Sequence, residues 1–361
     1  MLRRDTRRRL DQFIANPACR ANVLSAVHDI PMLAVARAAG LAVEVGQSPF
    51  AIGRGLVFER SLYDDGAARL FAALVAAGLV APTAAGFVDL RTRQNGGEIG
   101  SLDEACARFI ALLVRSVAAD DEERVGLPAI VAAPALQIPG RSILPDGMFA
   151  VDVVTLHAPP RPQKIVLRVG EIKVYPDRGG YTDPRKLATT RAQAGVYVHA
   201  LRLAVEAAGA TGAVTVSDEG FLVLTRPGTS APSVRPREDL RWQAARAERA
   251  FERLREAAAL APALPGDTEG EEVPEARLAV VRDADKAYDE GCLAFCELAR
   301  RCHEAAVAAG SPAVLGRDVA RFLGPITLDR ASALLAGAPA ETAAEEDLVR
   351  RARDARARAG A

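Results

Sequence analysis

Lys164-Ile165-Val166-Leu167-Arg168-Val169-Gly170-Glu171-Ile172-Lys173-Val174-Tyr175 is the most strand-like stretch of the chain. It is rich in β-branched residues, alternates in polarity and reads as a central strand. Alternate side chains on a strand share a face. Glu171 and Lys173 therefore project together, and Ile172 turns to the core. Two charged groups on one face of an otherwise apolar strand are costly to bury unless something pairs them, and a bound cation is one such partner.

Working upstream, Met148-Phe149-Ala150-Val151-Asp152-Val153-Val154-Thr155-Leu156 predicts a second strand, joined to the first by a proline-rich turn. Leu144-Pro145-Asp146-Gly147 stands at its entry, so pairing of the two strands would let Asp146 and Glu171 converge on one ion. Hard oxygen ligands with open positions suit magnesium or manganese. Downstream, Pro176-Asp177-Arg178-Gly179-Gly180 ends the strand, and a helix is expected from Pro184 to about Ala208 with Thr182 or Asp183 as its cap. Gln193 and Tyr197 lie four apart on that helix, and Lys186 and Thr190 extend the same stripe. Arg178, Arg185 and Arg191 add the positive charge a phosphate-binding groove needs.

Further out, Ala213–Ser217 and Phe221–Thr225 predict two strands with a turn between them, 226–237 a loop, and 238–260 a charged helix. The first 130 residues read mainly as helices, including Leu33–Leu41, Ala67–Val80 and a Ser101-capped Leu102–Ala118. An acidic linker is expected over 262–274, then a helical region, then a charged helix after Pro339. The expectation is an α/β protein: a helical region over 1–139, a core over 140–226 and a helical region over 227–361.

Composition narrows the function classes. The 361 residues carry 46 basic and 46 acidic side chains, so nucleic-acid binding must come from a local site and not from overall charge. No apolar run is long enough to span a membrane, and no apolar signal core follows the basic N-terminus, so a cytoplasmic protein is expected. There is no Gly-x-x-x-x-Gly-Lys phosphate loop, and the four histidines form no zinc-binding spacing. Of five cysteines, Cys292, Cys296 and Cys302 crowd into eleven residues, with Cys19 far upstream and Cys106 in a helical stretch. Cys292 and Cys296 lie one turn apart, whereas Cys302 needs a helix break to join them. Four such thiolates can hold an iron–sulfur cluster or a zinc ion.

Pro145-Asp146, Glu171-x-Lys173 and Gln193-x3-Tyr197, in that order, resemble the motifs of PD-(D/E)xK nucleases of the RecB type. With Cys19 before them and Cys292, Cys296 and Cys302 after, the pattern is similar to the iron–sulfur branch, which includes the CRISPR-associated exonucleases and the AddB nuclease domain. The resemblance implies a restriction-endonuclease-like central mixed sheet flanked by helices. It implies metal binding by Asp146, Glu171 and the Ile172 carbonyl, catalysis by Lys173, and DNA contact or site support by Gln193 and Tyr197. It also implies an early-helix acid facing the metal, Glu59 with Glu104 as the second choice, and a [4Fe–4S] cluster on Cys19, Cys292, Cys296 and Cys302. The expected activity is a magnesium- or manganese-dependent DNA nuclease, more an exonuclease than an endonuclease. It would act on single strands or duplex ends in repair or phage defence, with or without partner proteins. Two departures stand out: the chain has C-x3-C-x5-C where the family has C-x2-C-x5-C, and Asp152 competes with Asp146 as the strand acid. The competing expectation is a non-catalytic nucleic-acid-binding or scaffold protein with a structural zinc or iron–sulfur site.

Overall fold

The computed structural model describes residues 12–14, 16–28, 30–42, 49–84, 86–91, 101–137, 148–261, 263–264 and 273–359, with backbone only at 49, 51, 52, 65, 185 and 294. The strands are β1 (Phe87–Asp89), β2 (Ile130–Ala132), β3 (Ala135–Gln137), β4 (Met148–Ala150), β5 (Val153–His157), β6 (Ile165–Pro176), β7 (Val214–Val216), β8 (Glu219–Thr225) and β9 (Pro232–Asp239). Seven of them make one mixed sheet in the order β1-β2-β5-β6-β8-β9, with β7 also paired to β6. Helices flank it, which is the expected α/β class. The sheet recruits β1 and β2 from before residue 140 and β9 from after 226, so it is wider than the 140–226 stretch suggested.

β6 is central, as its composition demands. It pairs antiparallel with β5 on one side. On the other it pairs parallel, first with β7 at Ile165–Leu167 and then with β8 at Gly170–Ile172 and Pro176. The expected strand pair at 213–225 is thus two successive segments along one edge of β6, with Asp218 between them. Ile165, Leu167 and Val169 are fully buried, and each such side chain removed from water stabilises the fold by about 1.5–3 kcal/mol. The helix Pro49–Ala76 packs Phe58, Leu62, Leu70 and Leu74 with Ile172, Phe221 and Val223. The helix Pro184–Ala207 contacts β6, β7 and β3. Asp183 caps it, its Oδ1 accepting from the Lys186 N–H at 3.2 Å.

Two readings are corrected. The single strand expected over 148–156 is broken at Val151-Asp152: β5 continues the main sheet, whereas β4 pairs with β3 in a separate two-stranded sheet. The partner strand bends in step, because Ala133 between β2 and β3 adopts φ +48. Hydrogen bonds from Ala133 N–H to Asp152 O (3.1 Å) and from Val151 N–H to Pro134 O (3.0 Å) carry the ladder through the bend. The loop expected over 226–237 is largely strand, since β9 tolerates Pro232 and Pro236 as the edge strand. A register shift opposite Gly220–Leu222 absorbs Pro236 and Arg237, the latter at φ +57. The charged helix accordingly starts at Arg241 and not at Glu238.

The chain divides into two compact units, Gly46–Arg255, which holds the large sheet, and Met1–Val45 with Glu256–Ala361. In the second unit, Cys19, Leu24, Ile30, Met32, Val35, Leu278, Val281 and Leu298 share a core. No described helix is long and apolar enough to cross a membrane.

Gly170 faces the same side of β6 as Ile172, where the Phe221 ring lies over the backbone. A Cβ there would stand 2.2 Å from Phe221 Cζ and 2.7 Å from Val153 Cγ1. Overpacking of this kind costs about 1–3 kcal/mol. Gly170→Ala should therefore lower the unfolding free energy from urea titration by that amount, and a simultaneous Phe221→Leu should recover part of it.

Candidate active site

The site is built where β6 outruns its neighbour. The β5–β6 ladder stops at Val153 opposite Gly170, so the next residues of β6 lack a β5 partner. Asp152, at the bend before β5, takes over: its Oδ2 accepts the Ile172 N–H at 2.8 Å. Glu171 and Lys173 project together, as strand alternation requires. Glu171 is 0 % exposed, and its Oε1 accepts from both Lys173 Nζ and Gln193 Nε2. Lys173 Nζ lies 3.8 Å from Asp152 Oδ2, so one ammonium stands between two carboxylates. Gln193 Nε2 is also 3.1 Å from the hydroxyl of buried Tyr197, one turn along the helix. Lys173, Glu171, Gln193 and Tyr197 thus form one connected set.

Further contacts come from the helix Pro49–Ala76 and the end of β1. Glu59 Oε1 accepts from Arg91 Nη1 at 2.8 Å, and Arg91 also binds Asp89 at 3.1 Å. Tyr63, one turn after Glu59, donates its hydroxyl to the Asp152 carbonyl at 2.9 Å. Its ring stacks on Phe87 (centroids 5.6 Å apart) and lies 4.9 Å below the Arg91 guanidinium. Burial pushes the Glu59 carboxyl above its ordinary range, Arg91 opposes that, and the Asp152 charge reinforces it. Burial, with the Glu59 and Asp152 charges behind it, holds Tyr63 well above the usual phenol value, so its hydroxyl stays a donor. The ionisation of Glu59 responds to the charges of Asp152 and Lys173. The Glu104 N–H closes the Ser101 cap at 3.2 Å. Tyr63 could have been read from its i+4 spacing to Glu59. Arg91 arrives from a separate segment and carried no local signal.

Asp146 and the Arg185 side chain lie outside the described residues. Among the basic residues, Arg178 is exposed and Lys186 Nζ sits 5.1 Å over the Tyr175 ring. Arg191 binds the buried carboxylate of Glu238 at 2.6 Å, which commits its charge to the fold. Glu238 also takes Arg235, and Arg235 in turn reaches buried Asp177, fastening the 177–183 turn to β9.

The four clustered cysteines gather in the second unit. Cys19 is buried in the shared core, with Cys296 and Cys302 packed against it. The helix break expected before Cys302 is present: Cys292–Phe295 ends at an extended Cys296, and a new helix starts at Ala299. Asn16 Nδ2 donates to Cys292 Sγ at 3.3 Å and to the Ala287 carbonyl at 2.6 Å. Gln12 bonds the Phe295 carbonyl (2.5 Å) and Glu297 (2.7 Å), so the N-terminal segment is tied to 287–297 by its amides. Burial pushes the Cys296 thiol up to about 12 against a hydrogen bond with the Leu298 backbone, and burial, with the Cys19 charge behind it, pushes the Cys302 thiol up to about 11 against Lys286.

Fit to a metal can be judged from donor chemistry. Asp152, Glu171 and the Ile172 carbonyl offer hard oxygens suited to magnesium or manganese, and the cysteines offer soft sulfur suited to iron–sulfur or zinc. Among the described residues, no three His, Cys, Asp or Glu side chains already stand as a ligand set. The oxygen site supplies two carboxylates plus a main-chain oxygen. Cys292 adds to the rise at both Cys296 and Cys302, and Cys19 to that at Cys302, without three of these thiols standing as a ligand set among the described residues. Compared with protein-family models, with curated proteins and with solved structures, the chain matches none of them.

Because Glu59 is held above its ordinary 4.5, the folded state keeps that proton to higher pH than the unfolded chain does. The resulting stability is fully present below 4.5 and is lost as pH rises through the folded value. Glu59→Gln should flatten the stability–pH curve over that interval, as read by urea midpoints at several pH values, relative to wild type.

Proposed function

We propose that this protein is a divalent-metal-dependent DNA nuclease of the PD-(D/E)xK type. The observation that carries the reading is the meeting of a fully buried Glu171, Lys173 and Asp152 at the free end of a central strand, beside the Gln193–Tyr197 helix face. A buried carboxylate is expensive to keep unless its charge is used. In this reading Glu171, Asp152 and the Ile172 carbonyl hold a magnesium or manganese ion, with Asp146 a further candidate. When bound, that ion supplies Lewis-acid polarisation of a phosphate and a more acidic water. The chain's own residues do the rest. Lys173 places a fixed positive charge beside the reacting phosphate. Gln193 and Tyr197 hold Glu171 in one rotamer, Tyr63 anchors the Asp152 backbone, and Glu59 faces the same space. Arg178, Arg185 and Lys186 offer phosphate contacts.

The second unit has a structural role in this reading: Cys19, Cys292, Cys296 and Cys302 hold an iron–sulfur cluster, with zinc as the alternative. It would strengthen the clasp that Gln12 and Asn16 already make. The setting that fits is DNA repair or defence against phage, with exonucleolytic action on single strands or ends.

Two experiments test the proposal. With Mn²⁺ and end-labelled DNA, Glu171→Gln and Lys173→Ala should each lose about two orders of magnitude or more in cutting rate while keeping wild-type circular dichroism. Cutting at the wild-type rate by both variants would rule the site out. Protein purified without oxygen should be brown, with iron and sulfide near four each per chain for a [4Fe–4S] cluster. A colourless protein with one zinc would replace the cluster by the zinc site, and a metal-free protein would remove both.

A further inference from the structure

A cavity of about 830 Å³ opens between the first turns of the helix Pro49–Ala76, the end of β6 and the β8–β9 turn. Its apolar lining is the buried Phe58, the half-buried Val174 and the exposed Val57 and Pro176. At its mouth Phe50 is 86 % exposed, an unusual position for a phenyl ring. Arg54 and Arg226 stand on opposite walls, one on the helix and one on the turn, and both are exposed. Among the described residues neither forms an ion pair, so their charges are available to a ligand. The turn that carries Arg226 is held in shape by Arg226 N–H to Ala231 O (2.9 Å) and Thr229 N–H to Arg226 O (3.2 Å), and Arg69 Nη2 reaches the Ser230 carbonyl at 3.4 Å.

The ligand that fits is both flat and apolar and also anionic at its edge. A nucleotide of a single strand has that character: a base that stacks on an aromatic side chain and phosphates that pair with arginines. The volume lies within the range of sites for molecules of that size, about 300–1,000 Å³. Position agrees. Val174 packs with Ile172 under the helix Pro49–Ala76, on the face of β6 opposite Glu171 and Lys173, so the cavity flanks the same strand end from the other side of the sheet, and Val57-Phe58 precede Glu59 in the helix. A base held in a duplex cannot enter without leaving its stack, whereas an unpaired base can.

We infer that this cavity is a base-binding pocket for single-stranded DNA, with Phe50 as the stacking platform and Arg54 and Arg226 as the flanking phosphate contacts. The inference rests on the nuclease reading for its biological sense, though the pocket is separable from the chemistry. Phe50 provides sequence-tolerant affinity, because every base offers a π-face. The two arginines set the strand's path across the mouth and make binding salt-dependent.

The test measures binding with divalent ions omitted, so that no cutting is required. A fluorescein-labelled oligo-dT and a blunt duplex of the same length are titrated by anisotropy against the full chain, alongside an oligonucleotide carrying one 2-aminopurine. Phe50→Ala should weaken single-strand binding about tenfold. It should abolish the 2-aminopurine change and leave duplex binding as it was. Arg54→Ala with Arg226→Ala should weaken binding and flatten its salt dependence. All three positions are exposed, and unchanged thermal melts confirm the fold. Single-strand affinity and 2-aminopurine signal unchanged in both variants would overturn the pocket, even in a protein that cuts DNA. Pocket-dependent binding in a protein that never cuts would uphold the pocket and remove the nuclease reading. Equal losses on single strand and duplex would also overturn it, as a general electrostatic surface would give that result.

Discussion

A carboxylate with no exposed surface is the constraint around which this sheet is arranged. Glu171 sits mid-strand in β6 among Ile165, Leu167 and Val169, where an unpaired charge costs several kcal/mol. The chain meets that cost with an ammonium two residues along the same strand and an amide from the covering helix. Hydrophobic packing alone would favour a leucine at 171. Keeping the acid instead requires Lys173, Gln193 and Tyr197 to be held in fixed relation, and the helix Pro184–Ala207 supplies that rigidity through its Asp183 cap and its buried Tyr197. Groups so placed are preorganised, and preorganised charge is what phosphate chemistry draws on in the proposed reading.

The bend shared by β2–β3 and β4–β5 is what opens the site. Had the β2–β5 ladder run straight, β5 would pair with β6 beyond Gly170 and its side chains would fill the space at Lys173. Turning both strands at Ala133 and Asp152 frees the end of β6 and aims the Asp152 carboxylate at the Ile172 amide. Tyr63 fixes the bend from the other side through the Asp152 carbonyl. Arg91, binding Glu59 and Asp89 together, keeps a third acid near Asp152 and Lys173 without leaving it uncompensated.

Much of this was legible in local patterns. The 164–175 alternation identified the central strand and the common face of Glu171 and Lys173. The i,i+4 spacing put Gln193 and Tyr197 together, and Ser101 was readable as a cap, as was the choice between Thr182 and Asp183 that the structure resolves to Asp183. What escaped depends on long-range geometry. The break at Asp152 lies inside a continuous β-forming run, and only the partner's bend at Ala133 accounts for it. β9 hid behind its prolines because an edge strand with a bulge tolerates them. Arg191 read as a phosphate ligand, but a buried Glu238 forty-seven residues away claims it. In the second unit the helix break before Cys302 was foreseeable from spacing, whereas the amide clasp from Gln12 and Asn16 was not.

The central claim is that the Asp152–Glu171 pair is a cation site, and the most direct measurement is Mn²⁺ binding followed by electron paramagnetic resonance. Wild-type protein should remove the sharp signal of free Mn²⁺ with saturation at one or two ions per chain, and Asp152→Asn or Glu171→Gln should leave that ion in solution. Undiminished Mn²⁺ uptake by both variants, or none by the wild type, would contradict the account.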